Sequence, residues 1–277
     1  MIKYLTYEIS SSCNMDCEFC FSDWRKPSKE LNTSESKKGI DQLVALGLEA
    51  INFTGGEPLL RKDIAEIISY AKKSGLTTIL TTNGILLEEK IKSLCSSLDY
   101  IGLPLDSANP AAHNSMRKTS RTDNHHILVL GLVDALSNQY PHVGVKINTL
   151  VSRKNKDEVV GIGKLIEGKV LSWKLSHFIA SGHGKDYAFE YSISKGNYLH
   201  IVGNCQKTHP QMNIVSCAAH ERDDCCRVLS SEGHLLRPSE SGLIDLGKLD
   251  SLSSYQVTEG CNIQKNEHIL RSTYIDR

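Results

Sequence analysis

Six apolar segments of strand character alternate with helical segments over the first two thirds of the chain, and this alternation restricts the fold more than any other feature. The strand segments are residues 3–10, 50–54, 77–84, 100–106, 143–151 and 171–179. Between them, apolar residues recur at helical spacing over residues 34–47, 62–75, 88–97, 125–139 and 157–166. Such a pattern is typical of parallel strands joined by right-handed helical crossovers. Six units are too many for a small open sheet and two short of a closed eight-stranded barrel. The sequence therefore predicts an α/β fold, a partial (β/α)6 barrel.

The alternation becomes irregular after about residue 185 of the 277 residues. We therefore divide the chain into a barrel of residues 1–185 and a C-terminal extension of residues 186–277, which we expect to close the open side of the barrel. Within this extension, residues 225–238 predict a β-hairpin with its turn at Glu232 and Gly233.

Charge and hydropathy exclude two classes of partner. The 32 basic residues equal the 32 acidic ones, so the formal net charge is zero and gives no overall attraction to nucleic acid polymers or anionic membranes. The apolar runs are far shorter than the roughly 20 residues of a membrane span. Residues 1–10 indicate a strand and not a signal peptide. We predict a cytoplasmic protein that binds neither a membrane nor a nucleic acid polymer.

Three of the nine cysteines follow the first strand at Cys-x3-Cys-x2-Cys spacing, as Cys13, Cys17 and Cys20. A chain of this size in a reducing compartment is not expected to rely on disulfides. Thiolates bind zinc or iron–sulfur clusters, but residues 21–32 offer no fourth Cys or His for a closed zinc site. A four-iron cluster held by three cysteines leaves one iron open, and an amino acid-like cofactor can chelate that iron.

Together with TGGEP at residues 54–58 and TTNG at residues 81–84, this motif resembles the radical S-adenosylmethionine (SAM) superfamily. The resemblance implies a [4Fe-4S] cluster on the three cysteines, with SAM bound beside it. Glu57 is expected to face the SAM amino group, and Arg117 its carboxylate. The full set of implied cofactor contacts is Phe19, Thr54, Gly55, Gly56, Glu57, Thr82, Asn83, Asp106, Ser107 and Arg117. In this family an external donor reduces the cluster, SAM is cleaved, and a 5′-deoxyadenosyl radical takes a hydrogen atom from the substrate.

Polar side chains on the fifth and sixth strands indicate where a substrate binds. Strand alternation places Lys146, Asn148 and Lys174 inside the barrel, opposite the apolar residues that face the helices. Two lysines inside a barrel require a negative partner. Either they pair internally with Glu8 or Asp106, or they bind an anionic substrate, for which phosphate is the preferred anion.

Residues 51–60, 145–155 and 172–184 also resemble viperin and its microbial relatives, the SAM-dependent nucleotide dehydratases, within a similarity that covers roughly residues 3–185. This resemblance implies a lyase that holds a nucleoside triphosphate through Lys146, Asn148 and Lys174. Such enzymes abstract the 4′ hydrogen and release the 3′ hydroxyl as water. Their 3′-deoxy-3′,4′-didehydro product terminates viral RNA chains, so the resemblance implies antiviral defence. No residue of this chain is assigned a certain catalytic role.

Three departures from the dehydratase pattern keep the substrate open. Ser172 stands where an arginine is usual, Glu66 stands where a lysine is common, and residues 225–236 contain no tyrosine to match the family's proposed proton donor. A monophosphate, a nucleoside or an unrelated compound are therefore alternatives.

The late cysteines support a different radical SAM subfamily, acting on another small anion or a peptide with an auxiliary cluster. These are Cys205, Cys217, Cys225, Cys226 and Cys261. A cluster-bearing sensor without enzymatic activity is the third alternative, and the full set of SAM motifs argues against it. Outside these motifs, we expect Cys95 to be a small buried hydrophobe and His125 with His126 to form a solvated helix start.

Overall fold

The computed structural model describes residues 2–22, 29–218, 226–239, 242–259, 261, 264 and 266. All six predicted strands are present, and each pairs in parallel with the next one along the chain. They are β1 (Tyr4–Ser10), β2 (Ala50–Gly55), β3 (Thr77–Thr81), β4 (Tyr100–Pro104), β5 (Gly144–Val151) and β6 (Ser172–His177). The predicted α/β fold with a parallel sheet is confirmed.

Helices connect these strands and cover one face of the sheet. In the described part of the chain they are α1 (Thr33–Ala45), α2 (Ile64–Lys73), α3 (Leu87–Leu94), α4 (Pro110–Met116), α5 (His125–Gln139), α6 (Val159–Ile166), α7 (Ala188–Tyr191), α8 (Lys195–Thr208) and α9 (Ser254–Thr258). A capping box starts α1, because Asn32 accepts a hydrogen bond from the Glu35 amide and the Glu35 carboxylate accepts one from the Asn32 amide. Among the described residues, none of these helices has the length and hydropathy needed to cross a membrane.

The main core lies between the sheet and the outer helices, and strand alternation explains which side chains enter it. On β5, Val145 and Ile147 are buried in this core, whereas Lys146 lies on the opposite face of the sheet and lines a cavity. On β6, Trp173 is fully buried against the helices and Lys174 lines the same cavity. The predicted alternation of β5 and β6 is therefore observed.

The C-terminal extension lengthens the sheet at both edges. Strand β7 (Ile214–Cys217) pairs in parallel with β6, and β8 (Val228–Leu229) pairs in parallel with β1. Beyond β8, strands β9 (His234–Ser239) and β10 (Gly242–Lys248) continue the sheet as antiparallel neighbours. No ladder joins β7 to β10 among the described residues, so the sheet is open and forms a partial barrel. The extension therefore borders the opening from both sides, and the division at residue 185 stays a prediction.

Two local predictions have different outcomes. The hairpin turn between β8 and β9 is confirmed, and Gly233 has a φ of 85°, a left-handed conformation that glycine adopts without strain. The solvated helix start is wrong. His125 and His126 are only 1 % and 4 % exposed, because the first turn of α5 packs against Asn83 after β3 and against His113 of α4. Cys95 is only partly buried at the end of α3, although it does pack against the core.

Candidate active site

A cavity of about 360 Å³ opens at the carboxyl ends of the parallel strands, where barrel enzymes carry their active sites. Most of the predicted site residues line it together: Cys13, Cys17, Phe19, Cys20, Thr54, Gly56, Thr82, Asn83, Arg117, Lys146, Asn148 and Lys174. Four other predicted residues lie behind its wall: Gly55, Glu57, Asp106 and Ser107. The motifs identified in the sequence thus enclose a single space.

The wall also contains residues that the sequence analysis missed. Tyr4 and Thr6 of β1 and Asn52 of β2 line the cavity, as does Thr81 at the end of β3. The Thr81 hydroxyl donates a hydrogen bond of 2.9 Å to the Asn52 side-chain oxygen. The period of two that identified Lys146 would also have found the residues of β1 and β2, had it been applied to those strands.

The loop that carries the three cysteines is held against the TGGEP loop by backbone hydrogen bonds. The Gly56 amide donates to the Ser10 carbonyl and the Glu57 amide donates to the Ser12 carbonyl, both at 2.7 Å. A Cβ atom at Gly55 would lie 2.3 Å from the Ser10 oxygen, and one at Gly56 would lie 2.2 Å from the Ser12 oxygen. Both glycines are therefore required for this close approach of two backbones.

The three thiols form one electrostatic group. The pKa of Cys17 is raised to about 12 and that of Cys20 to about 11, chiefly by burial and also by the neighbouring cysteines, while Arg117 opposes both shifts. Among the described residues, no three His, Cys, Asp or Glu side chains converge on one metal-ion position. A four-iron cluster does not require such convergence, because each thiolate binds a different iron atom. Three thiols that line one cavity fit that cluster, whose irons would supply the positive charge that thiolates need there.

Arg117 is oriented by its two neighbours. Its Nε atom donates a hydrogen bond of 2.6 Å to Asp106 Oδ2, and its guanidinium lies 5.0 Å from the centroid of the Phe19 ring. The other carboxylate oxygen of Asp106 accepts from the Leu150 amide at 2.8 Å. Asp106 is fully buried and does not reach the cavity. Its observed contact is therefore with Arg117, which presents a cation beside the cysteines.

Glu57 has a similar supporting position. Its carboxylate is fully buried and accepts hydrogen bonds from the Leu59 amide at 2.9 Å, the Thr82 hydroxyl at 2.7 Å and the Asn83 amide at 2.8 Å. Burial raises the pKa of Glu57, and these hydrogen bonds oppose that shift. In this arrangement Glu57 fixes Thr82 and Asn83 at the cavity wall, whereas its predicted contact with the SAM amino group stays a prediction.

Replacing Glu57 with glutamine is expected to destabilise the protein by about 1–3 kcal/mol, because one amide NH2 group would then face a buried hydrogen-bond donor. Denaturant unfolding measures this change. Glu66→Gln is the matched control, since the Glu66 side chain is 60 % exposed and its pair with Lys37 is superficial. Equal midpoints for the two variants would contradict the structural role of Glu57.

Lys146 and Lys174 lie on one face of neighbouring strands. In the β5–β6 register Lys146 is opposite Ser172, and Asn148 is opposite Lys174. Lys146 is 4 % exposed. Burial lowers its pKa well below the ordinary value, the Lys174 ammonium lowers it further, and Cys217 opposes the shift.

Both carboxylates proposed as internal partners of these lysines have other contacts. Glu8 accepts a hydrogen bond of 2.9 Å from the Ser22 hydroxyl. Asp106 binds Arg117. Two lysine side chains thus line this part of the cavity together, an arrangement that suits an anion.

The late cysteines do not share one environment. Cys205 lies on α8 and is fully buried in the core, where burial raises its pKa to about 12, and Cys261 packs against the same core. Cys217 ends β7 close enough to Lys146 to affect its pKa. Cys225 lies outside the described residues. The auxiliary cluster stays a prediction.

Comparison with known proteins gives one family and several activities. The Radical SAM superfamily model matches residues 7–165. The chain is 32 % identical over 187 residues to an S-adenosylmethionine-dependent nucleotide dehydratase of Selenomonas ruminantium, which covers 63 % of this chain and 65 % of the relative. It is 34 % identical over 163 residues to a GTP 3′,8-cyclase of Chlorobaculum tepidum, covering 57 % and 48 %. An AdoMet-dependent heme synthase of Methanosarcina barkeri is 27 % identical over 226 residues, covering 79 % and 62 %. The chain thus spans between about half and two thirds of the length of these relatives.

Solved structures match the fold over nearly the whole chain. AnSMEcpe with bound AdoMet and the Kp18Cys peptide has a TM-score of 0.73 at 17 % identity and covers 98 % of this chain and 88 % of that one. SuiB of Streptococcus suis bound to S-adenosylmethionine has a TM-score of 0.67 at 14 % identity, covering 96 % and 72 %. At such identities the likeness concerns the fold alone.

Proposed function

Because the chain belongs to the radical SAM superfamily, with a [4Fe-4S] cluster and SAM as cofactors, we propose that it is a lyase that dehydrates the ribose of a nucleotide. One observation carries the choice of substrate. Lys146 and Lys174 line the same cavity as Cys13, Cys17 and Cys20, so an anion held by the lysines would lie beside the cofactors. The nucleotide dehydratase of Selenomonas ruminantium, at 32 % identity, supports the same reaction class.

The residues of the cavity divide into a cofactor side and a substrate side. On the cofactor side, Cys13, Cys17 and Cys20 would hold the cluster, and Arg117 would bind the SAM carboxylate through charge-assisted hydrogen bonds. When bound, the two cofactors supply a 5′-deoxyadenosyl radical that removes one hydrogen atom from the substrate. On the substrate side, Lys146, Asn148 and Lys174 would hold the phosphates and so orient the ribose.

Dehydration requires one proton and one electron besides the abstracted hydrogen atom. The hydrogen leaves C4′ for 5′-deoxyadenosine, and the 3′ hydroxyl leaves as water after accepting a proton. One further electron, from the same external donor that reduces the cluster, completes the C3′–C4′ double bond. The product therefore has the mass of the nucleotide minus one water. Such a product lacks the 3′ hydroxyl needed to extend RNA, so we place the activity in antiviral defence in the cytoplasm.

A nucleotide cyclase is the second candidate, because a GTP 3′,8-cyclase is 34 % identical over 163 residues. Cyclisation within one nucleotide releases no water, and mass spectrometry distinguishes the two reactions. The experiment is an anaerobic incubation of the reconstituted enzyme with SAM, a reductant and the mono-, di- and triphosphates of the four ribonucleosides. We expect one of them to raise 5′-deoxyadenosine formation and to lose the mass of one water. If no nucleotide stimulates SAM cleavage, the substrate belongs to another class and the dehydratase proposal fails.

Arg117→Ala is expected to weaken SAM binding by roughly ten- to a hundredfold, because it removes a charge-assisted contact of about 1.5–3 kcal/mol. Equilibrium titration of the cluster-loaded protein with SAM measures this loss of affinity. Arg121→Ala is the control, since Arg121 is exposed and outside this cavity. If both variants bind SAM equally well, Arg117 has no part in the SAM site.

Nucleotide binding is expected to take up protons at a pH between the lowered pKa of Lys146 and the ordinary lysine pKa. Burial and Lys174 lower the pKa of Lys146, and a bound phosphate chain would raise it again, so the complex holds more protons than the free enzyme. Affinity should then rise as pH falls from the ordinary lysine pKa of about 10.4 towards the lowered value. Calorimetry in buffers of different ionisation enthalpy measures the uptake. Lys146→Met should abolish it, and proton release by the unsubstituted protein would contradict a phosphate site at Lys146.

A further inference from the structure

Two buried histidines join the ends of β3 and β4 behind the cavity wall. His125 Nε2 lies 2.8 Å from the carbonyl oxygen of Asn83, which follows β3. The Nδ1 atom of the same ring lies 2.8 Å from His113 Nε2. His113 Nδ1 in turn lies 3.1 Å from the amide nitrogen of Asp106, which follows β4. The two rings thus bridge two separate loops of the site through three consecutive hydrogen bonds.

The groups at the two ends of this series of hydrogen bonds determine which atom carries each proton. The Asp106 amide can only donate, so His113 Nδ1 accepts and His113 Nε2 carries the proton. That proton is donated to His125 Nδ1, which leaves His125 Nε2 protonated. The Asn83 carbonyl can only accept, and His125 Nε2 donates to it. Both rings are therefore neutral, each in its Nε2–H tautomer.

The environment keeps both rings neutral. Burial, with help from Arg117, lowers the pKa of His113 to about 2 and that of His125 to about 4. The two rings are parallel, with centroids 5.1 Å apart and planes 2° apart, as a hydrogen bond in the ring plane between their nitrogens requires. The three hydrogen bonds therefore keep the same donors and acceptors over the whole neutral range of pH. This suits a structural link better than a proton carrier.

The same series of hydrogen bonds continues at both ends to the predicted SAM contacts. On the β3 side, the Asn83 amide donates to the buried carboxylate of Glu57. On the β4 side, the carboxylate of Asp106 accepts from Arg117 Nε. Arg117 and Asn83 both line the cavity, whereas neither histidine does. The histidines therefore lie on a hydrogen-bonded path between two wall residues without reaching the cavity themselves.

We propose that His113 and His125 are positioning residues that fix the separation of Asn83 and Arg117 and so keep the SAM subsite formed before SAM binds. This inference rests on the SAM contacts assigned above. A preformed subsite binds its ligand more tightly because less ordering accompanies binding. Loss of the link should therefore weaken SAM binding while the three cysteines still hold the cluster.

The test compares His125→Phe, which keeps an aromatic ring but breaks two hydrogen bonds, with His125→Gln, which restores a donor and an acceptor. On the clustered protein we expect His125→Phe to weaken SAM binding by about tenfold with iron content unchanged, and His125→Gln to stay within about twofold of the unsubstituted protein. The SAM-induced change in the electron paramagnetic resonance spectrum of the reduced cluster should then need correspondingly more SAM.

His209→Phe is the control for a general effect of losing a buried histidine. His209 is 3 % exposed and its Nε2 atom lies 3.0 Å from the Val160 carbonyl, but it does not line the cavity. If His125→Phe and His209→Phe bind SAM equally well, the inference is overturned. Should His125→Phe fail to fold, His113→Phe takes its place, because it breaks the same series of hydrogen bonds. Its SAM affinity is then compared with that of His209→Phe. Arg117→Ala distinguishes failure of this inference from failure of the SAM site. Unchanged SAM affinity in that variant would refute the SAM site itself.

Discussion

Replacing any one of Cys13, Cys17 and Cys20 with alanine is expected to remove the cluster and reduce SAM cleavage to the level without enzyme. These three thiols line one cavity, and the TGGEP loop holds their loop in place. A four-iron cluster held by three thiolates is lost when one of them is removed, because the two that remain bind only two of its irons. Iron analysis and the absorbance of anaerobically reconstituted protein measure the loss, and the unsubstituted protein should contain about four irons per chain.

Two further variants show whether this cluster is the only one. Cys95→Ala is the matched control, because Cys95 lies at the end of α3 outside the cavity, and it should retain all the iron. The double substitution of Cys225 and Cys226 with alanine should also leave about four irons. A count of about eight irons in the unsubstituted protein, falling to about four in this double variant, would establish the auxiliary cluster and contradict the single-cluster account.

Lys146→Ala and Lys174→Ala are each expected to lower nucleotide-stimulated kcat/KM by about ten- to a hundredfold, the equivalent of one charge-assisted contact. Both lysines line the cavity, and Lys146 is nearly fully buried. Cluster content and SAM affinity should not change, because the residues assigned to the cluster and to SAM lie on other segments of the chain and not on β5 or β6. Rates of 5′-deoxyadenosine formation with and without nucleotide give the result.

Lys164→Ala is the control for this pair, since Lys164 is exposed on α6, outside the cavity. Full nucleotide stimulation in both cavity variants would show that the anion binds elsewhere.

Sequence periodicity predicted those parts of the site that depend on one strand or one loop. Lys146 and Lys174 were placed correctly because the apolar neighbours of each must face the helices, which leaves the other face for the lysines. Gly55 and Gly56 lie in a close approach of two backbones, and their expected contact with SAM stays a prediction. Such features follow from local geometry alone.

The supporting residues could not be predicted in the same way, because their roles depend on contacts between distant segments. Glu57 and Asp106 lie in motifs that suggest direct cofactor contacts, yet both carboxylates are buried and bind neighbouring wall residues. His125 follows Asn124, which caps α5, and a helix start with two histidines is ordinarily solvated. Only the packing of α5 against Asn83 after β3 and against His113 of α4 shows that this turn is interior.

Transfer of deuterium from the ribose to 5′-deoxyadenosine tests the proposed reaction most directly. The reconstituted enzyme is incubated anaerobically with SAM, a reductant and ribonucleoside triphosphates deuterated at C4′, and the 5′-deoxyadenosine is analysed by mass spectrometry. Dehydration by the proposed route predicts 5′-deoxyadenosine that carries one deuterium, in an amount equal to that of a nucleotide product lighter by one water. Unlabelled 5′-deoxyadenosine, formed at the same rate with and without nucleotide, would contradict the account.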